Sequence, residues 1–394
     1  MAETAAQEPI VTGDELIARA RALTPVLAAE AAESERLRRP TDAAIDALRE
    51  SGIFRMMVPR AYGGYELDLD TFLGVGLALG AGDASLAWVA NFYVEHNWIF
   101  CQFPEAFQKP FFAERDYSLA PATVAPTGVA EPVEGGYRLA GRWSWGTGVM
   151  HGDWVIVSAV VPGDDPVPDM RFFALPIEEI TVDDVWHIEG MLGTGSNDIL
   201  IDGRVIPEER AVSLNAMRDG RAPGAEIHDG PLYRTPMMPV LVMAAAMPAV
   251  GQARAVVDAF KQSLQDRFMP MWGITQAERP AAQMRVARAE LEMRQTEMLM
   301  GEVVEDVMAR RNEATLADRA RWMASLALAV DQSKQIVASV ATASGASAHF
   351  SSHPLQRAAR DLSTLSCHAV FDLDARLETA GKAMLGLDPG PIMI

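Results

Sequence analysis

The chain has 394 residues, 49% hydrophobic and 22% charged, which is enough apolar mass for two or three packed layers around a sizeable core. A net charge of −19, spread along the sequence, argues against nucleic acid and anionic membrane as partners, and no apolar run reaches the roughly 20 residues that cross a bilayer. Two cysteines and seven scattered histidines exclude a disulfide framework and offer no metal site, and Met1–Pro9 lacks the apolar core of a secretion signal, so a cytoplasmic protein is expected.

From Thr12 to about Ser51 apolar residues recur at helical spacing through Leu16, Ala20, Leu23 and Leu27. Pro40-Thr41-Asp42 restarts a helix there, with Thr41 or Asp42 placed to cap it. Tyr62-Gly63-Gly64-Tyr65 reads as a turn and Phe72 to about Phe103 as helix again, so residues 1–116 are expected to form an N-terminal helical domain. Between 117 and 236 short β-branched and aromatic runs, such as Trp154–Val160 and Arg171–Leu175, alternate with Gly, Pro and Asp. With hairpin-like turns at Glu134–Tyr137 and Pro162–Asp165, this pattern predicts a small antiparallel β-domain. Residues 237–394 hold four long amphipathic segments, near 240–268, 280–311, 315–343 and 354–385, which predict an antiparallel four-helix bundle. The expected class is α+β, mainly α.

Three stretches carry chemistry. Trp145-Gly146-Thr147 closes a predicted strand, pairing an aromatic ring with a hydroxyl. Gly190-Met191-Leu192-Gly193-Thr194-Gly195-Ser196-Asn197-Asp198 offers exposed backbone amides and small hydroxyls, but no helix follows it, so it is not a dinucleotide loop. Gly345-Ala346-Ser347 precedes Pro354-Leu355-Gln356-Arg357-Ala358-Ala359-Arg360-Asp361, and His368 lies seven residues beyond. No Asp or Glu stands between Leu362 and Phe371, so that segment supplies no carboxylate base, whereas an imidazole can donate or accept a proton near neutral pH.

Helical region, β-domain, then bundle is the order of the acyl-CoA dehydrogenase fold, and these motifs resemble its flavin-dependent monooxygenase branch, which includes phenol, hydroxyphenylacetate and steroid-ring hydroxylases. The resemblance implies that Trp145, Gly146, Thr147, Gly195 and Ser196 hold a flavin ring, with Gly345 and Ser347 also on the flavin. It implies that Arg267 and Gln283 contact the flavin's phosphate tail across a subunit interface. Thr147 and His368 would stabilise a flavin C4a-hydroperoxide, and His96 would polarise a substrate hydroxyl. Thr123 and Trp98 would face the substrate; Trp88, Phe92, Tyr93 and Trp98 hint at an aromatic-lined cavity. The implied cofactor is reduced FMN or FAD arriving by diffusion from a separate flavin reductase, the implied substrate a small aromatic, phenolic or heteroatom-containing compound, and the implied assembly a homotetramer. Two other readings stay open: an acyl-CoA dehydrogenase-type FAD enzyme with a relocated base, and a non-catalytic helical assembly protein.

Overall fold

The computed structural model describes residues 11–163 and 166–390; Met1–Pro9 and the Asp164-Asp165 tip of the expected hairpin lie outside the described residues. Five helices open the chain: α1 (Gly13–Leu37), α2 (Asp42–Ser51), α3 (Leu69–Gly82), α4 (Ala84–Phe100) and α5 (Glu105–Glu114). Their starts are written in the sequence. The Thr12 and Thr41 hydroxyls accept the Glu15 and Ala44 backbone N–H groups, and the Asp83 carboxylate accepts that of Leu86, so first-turn donors are satisfied. Every residue of α4 except Phe92 is buried, as befits a helix enclosed on all sides.

One seven-stranded sheet follows, with strands β1 (Ala122–Val133), β2 (Gly136–Gly146), β3 (Trp154–Val161), β4 (Asp169–Pro176), β5 (Thr181–Asp183), β6 (Asn197–Pro207) and β7 (Ala211–Ser213) in the order β5-β6-β2-β1-β3-β4-β7. The expectation of a purely antiparallel sheet is corrected at one pair, because β1 and β3 run parallel. The reason is topological: β1 turns straight into β2, and β3 then crosses to the free edge of β1 instead of hairpinning onto β2. Strict alternation would put Trp143 and Trp145, two residues apart on β2, on one face, but the β2–β6 register shifts between Trp143 and Gly146, so Trp143 is buried in the sheet's own core and Trp145 is exposed.

The linker contains α6 (Leu214–Arg218), α7 (Gly224–Ile227) and a turn at Pro231–Arg234, and leads to α8 (Met237–Asp266), α9 (Pro280–Arg310) and α10 (Leu316–Ser344). Although α8 is long and apolar enough to cross a membrane, 83% of its most apolar window is buried inside the protein, where α3, α4, α9 and α10 pack on it. The expected fourth bundle helix is broken in two, α11 (Pro354–Leu365) and α12 (Leu373–Met384), with a single tight turn at Ala369–Phe371 between them. No Pro or Gly marks that break. It is held by side chains instead: Asp372 caps α12 through the Ala375 N–H, and His368 Nδ1 accepts the Val370 N–H. The helices of both ends share one core, and the sheet keeps a second.

Candidate active site

Trp88, Phe92 and His96 are spaced by four on α4 and therefore stack along one face. The Trp88 and Phe92 rings meet edge-on with centroids 4.8 Å apart, and the Phe92 ring lies nearly parallel to His96 at 5.4 Å. Trp88 is the meeting point. Its ring centroid is 5.6 Å from that of His368, and its Nε1–H donates to Thr147 Oγ1 at 3.2 Å. A hydroxyl from the end of β2 and an imidazole from the bundle thus converge on one indole.

A chain of small hydroxyls supports Thr147 from behind. Its Oγ1 is 3.0 Å from Ser196 Oγ, which is 2.7 Å from Thr194 Oγ1, and Thr194 donates to the Met191 carbonyl at 2.9 Å. Gly195 lies between them at φ +56°, a left-handed conformation that favours glycine. The far end of this loop is pinned by the bundle. Asp361 accepts the Met191 N–H at 2.5 Å, and Gly190 lies so close to α11 that a Cβ there would come within 2.3 Å of the Arg360 carbonyl oxygen. Asp361 is therefore a strut rather than a base; burial, with Asp83 nearby, pushes its pKa above the usual carboxylate range. Asn197 Oδ1 accepts the Val185 and Trp186 N–H groups at 3.0 Å, which sets the Trp186 ring 5.6 Å from that of Trp145. Trp145 keeps 55% of its surface exposed, a large apolar plane beside Thr147.

His368 sits at the break between α11 and α12. The Val370 amide occupies Nδ1, so a neutral ring carries its proton on Nε2 and can donate from there. The residue is exposed, yet protein hems its ring on the Trp88 side and pulls its pKa below the ordinary imidazole value. Water on the open side opposes that pull, so the depression is smaller than at a fully enclosed histidine. The neighbouring carboxylates are turned elsewhere: Asp361 to Met191, Asp372 to Ala375.

At the bundle, Arg267, Gln276, Ser347, His353 and Arg357 line a cavity of about 940 Å³ with apolar walls from Val256 and Phe260. Gln283 is not among its lining residues. It lies exposed a turn into α9, donating to the Ala277 carbonyl, while Gln276, beyond the two-strand turn that follows Arg267, lines the cavity; the contact expected of Gln283 was one across a subunit interface. Gly345 is an exposed residue at the C-terminal end of α10, two residues before Ser347.

His96 is enclosed. Its Nδ1–H donates to the Ala120 carbonyl at 2.6 Å, and burial lowers its pKa to about 4, so the ring is neutral across the working range. Thr123 is buried on β1 with a hydroxyl that has no partner. The four aromatic residues noted on α4 separate: Trp88 and Phe92 belong to the His96 stripe, Tyr93 donates to the Gly148 carbonyl at 2.5 Å, and Trp98 turns the other way. The Trp98 Nε1–H donates to the Leu232 carbonyl at 3.2 Å, so its buried ring packs against the linker.

Comparison with known proteins decides what this arrangement belongs to. The family model "Acyl-CoA dehydrogenase, C-terminal domain" matches residues 243–373. A pigment production hydroxylase of Rhodococcus sp. is 35% identical over 96% of this chain and 98% of its own length. The FADH(2)-dependent resorcinol hydroxylase, oxygenase component, of Rhizobium sp. is 28% identical over 95% of both chains. Among solved structures, the HsaA monooxygenase from M. tuberculosis superposes with a TM-score of 0.90 at 28% identity, covering 98% of this chain and 100% of that one. The chain belongs to the flavin-dependent monooxygenases of the acyl-CoA dehydrogenase superfamily.

For such a monooxygenase the donor set fits a flavin. Trp145 offers an apolar plane, Thr147 and Ser196 offer hydroxyls beside it, and Arg267 and Arg357 offer guanidinium groups suited to phosphate. The segment after Asp361, which would carry a dehydrogenase's carboxylate, presents His368 and Ala369 instead. The hydroxyl chain from Thr147 back to Asp361 joins β-domain and bundle and was not predicted as a unit. Spacing alone cannot reveal a contact between residues 170 positions apart.

Proposed function

We propose that this monooxygenase is the oxygenase component of a two-component system that hydroxylates a small phenolic or similarly electron-rich aromatic compound, using reduced FMN or FAD delivered by a separate reductase. The observation that carries the reading is the Trp88 hub, which puts Thr147 and His368 at one end of an aromatic stripe and His96 at the other. The bound flavin supplies oxygen activation and transfer to the ring. This chain's residues do the rest: Trp145 covers the flavin, Thr147 and Ser196 present hydroxyls to its reactive edge, and His368 donates from Nε2. The enclosed α4 face keeps water from the reacting atoms. Gly146 and Gly195 leave room for the flavin ring, and Arg267, Gln276, Gly345 and Ser347 serve its tail. His96 and Thr123 face the substrate. The resorcinol hydroxylase among the relatives supports a phenolic substrate.

A homotetramer formed through the bundles is part of the same proposal. Met284, Leu291 and Met298 are exposed at intervals of seven along α9, an apolar seam suited to another helix. A cytoplasmic setting accords with two free cysteines, Cys101 and Cys367. The test supplies the purified protein with enzymatically reduced flavin, oxygen and a panel of phenols, and separates hydroxylated product from hydrogen peroxide. At least one phenol is expected to turn most of the oxygen consumed into product. Peroxide alone with every phenol would sink the reading.

A further inference from the structure

A second cavity, of about 560 Å³, opens where the linker meets the turn between α9 and α10. It falls within the roughly 300–1,000 Å³ of small-molecule sites and shares no lining residue with the cavity beside Arg267 and Arg357. Its walls are polar. Ala225 is the one apolar side chain, and four arginines, Arg221, Arg234, Arg311 and Arg319, line it together with Asp219 and Glu226.

Pairing divides the arginines. Arg311 is a buried strut: both its Nη atoms bond Asp68, and its Nε donates to the Met308 carbonyl. Arg221 is exposed and pairs with Asp219. Arg319 reaches the same carboxylate at 3.4 Å and the Arg218 carbonyl at 3.0 Å, both through Nη1, and its Nε is buried without a partner. Arg234 donates only to carbonyls, those of His228, Asp229 and Gly230, and no carboxylate among the described residues pairs with it. With the Arg311–Asp68 pair set aside, three guanidinium charges stand against two carboxylates. The cavity thus carries a positive surplus in a chain whose net charge is −19. Gly220 holds the arrangement in place. It sits at φ +66°, so close to the linker that a Cβ there would come within 2.3 Å of the Arg234 carbonyl oxygen, and this contact fixes the Asp219–Arg221 turn beside Arg234.

We propose that this cavity binds a phosphate group as a dianion between Arg234 and Arg319. The guanidinium fork matches phosphate oxygens, and the Arg319 Nε–H is a donor already stripped of water, a cost that an incoming anion removes. Free phosphate satisfies this chemistry. So does the phosphate monoester of a small polyol, whose hydroxyls would meet Asn312 and Glu226, both exposed. Bound there, the phosphate ties the start of α10 to the linker, which the Tyr233 hydroxyl already anchors to the Met57 carbonyl. No residue of this cavity is assigned to flavin or substrate, so the proposal stands apart from the reading of the active site.

The test titrates the full-length protein, with saturating FAD present, with inorganic phosphate and with ribose 5-phosphate. Sodium chloride holds the ionic strength constant, and calorimetry and thermal unfolding are the readouts. Saturable binding and a rising unfolding temperature are expected for at least one of the two, and the tighter binder identifies the source. Arg234→Gln, which keeps a donor but removes the charge, should weaken binding about tenfold. Glu226→Gln, which removes a nearby negative charge, should tighten the binding of inorganic phosphate about threefold. Hydroxylation by both variants should stay at the wild-type level. No saturable binding beyond that of chloride, or affinity for phosphate that either substitution leaves unchanged, overturns the proposal. If Arg234→Gln does not fold, Glu226→Gln decides alone, because its side chain is exposed: unchanged affinity there would place the anion elsewhere.

Discussion

The two histidines at the ends of the α4 stripe have the same side chain and opposite surroundings. His368 stands in a break between helices, exposed, with Nδ1 held and Nε2 free to donate. His96 is enclosed on all sides, with Nδ1 on a carbonyl and Nε2 against the buried carboxyl of Glu95. The difference separates two tasks that a single pocket must perform. In the proposed function one end serves the flavin and oxygen, and the other faces the substrate. His368→Ala breaks the comparison most directly. It should lower the rate of hydroxylated product by about a thousandfold, within the range of a lost proton donor, and divert oxygen to hydrogen peroxide. Single-turnover product analysis checks it, and retention of coupling would move the chemistry away from the open end.

The enclosed end shows itself in stability rather than in turnover. The folded pKa of His96 is about 4 against about 6.5 unfolded, so between those values the unfolded chain binds the extra proton. That penalty is absent above pH 6.5 and grows as pH falls, reaching on the order of 3 kcal/mol near pH 4. Glu95 titrates in the opposite sense, because its raised pKa favours the folded state at low pH. His151, His228 and His368 are depressed in the same sense, so the share of His96 is read by difference: in denaturation curves in a Glu95→Gln background, a second change, His96→Gln, should reduce the acid slope. An unchanged slope would mean that His96 is not enclosed as described.

A smaller effect sharpens the link between the two ends. Trp88→Phe keeps a ring against His368 and Phe92 but removes the N–H that bonds Thr147. One lost hydrogen bond of about 1 kcal/mol predicts a roughly five- to tenfold loss in coupling, with flavin still bound. If Trp88→Phe matched His368→Ala, the indole would be reacting rather than positioning.

What the sequence disclosed follows the range of each signal. Helix spacing and caps are local, so α1, α2 and the helical run that divides into α3 and α4 were legible, whereas the inward Trp143 and outward Trp145 were not, because a register shift rather than alternation separates them. The break around His368 was not, because it is made by side-chain caps at Asp372 and His368 itself rather than by Pro or Gly. The parallel β1–β3 pair was hidden for a related reason: a crossover is a property of chain path, not of any run of residues. Glu95 lay within a polar-looking Glu-His-Asn triplet, where nothing short of the three-dimensional packing distinguishes a surface acid from a buried one.

Trp98 provides the smallest expected effect and the control for all the others. It is on the same helix as Trp88, as large and as buried, but its N–H meets the Leu232 carbonyl in the linker instead of a hydroxyl of the site. Trp98→Phe should therefore cost stability, about 1–2 kcal/mol from the unpaired carbonyl and the lost ring volume, while product per turnover stays at the wild-type level. Thermal unfolding and coupled-product assays on the same preparations read the two quantities. If Trp98→Phe uncoupled the reaction as Trp88→Phe does, proximity on α4 rather than the Thr147 bond would govern the chemistry. The distinction between hub and packing tryptophan would then be lost.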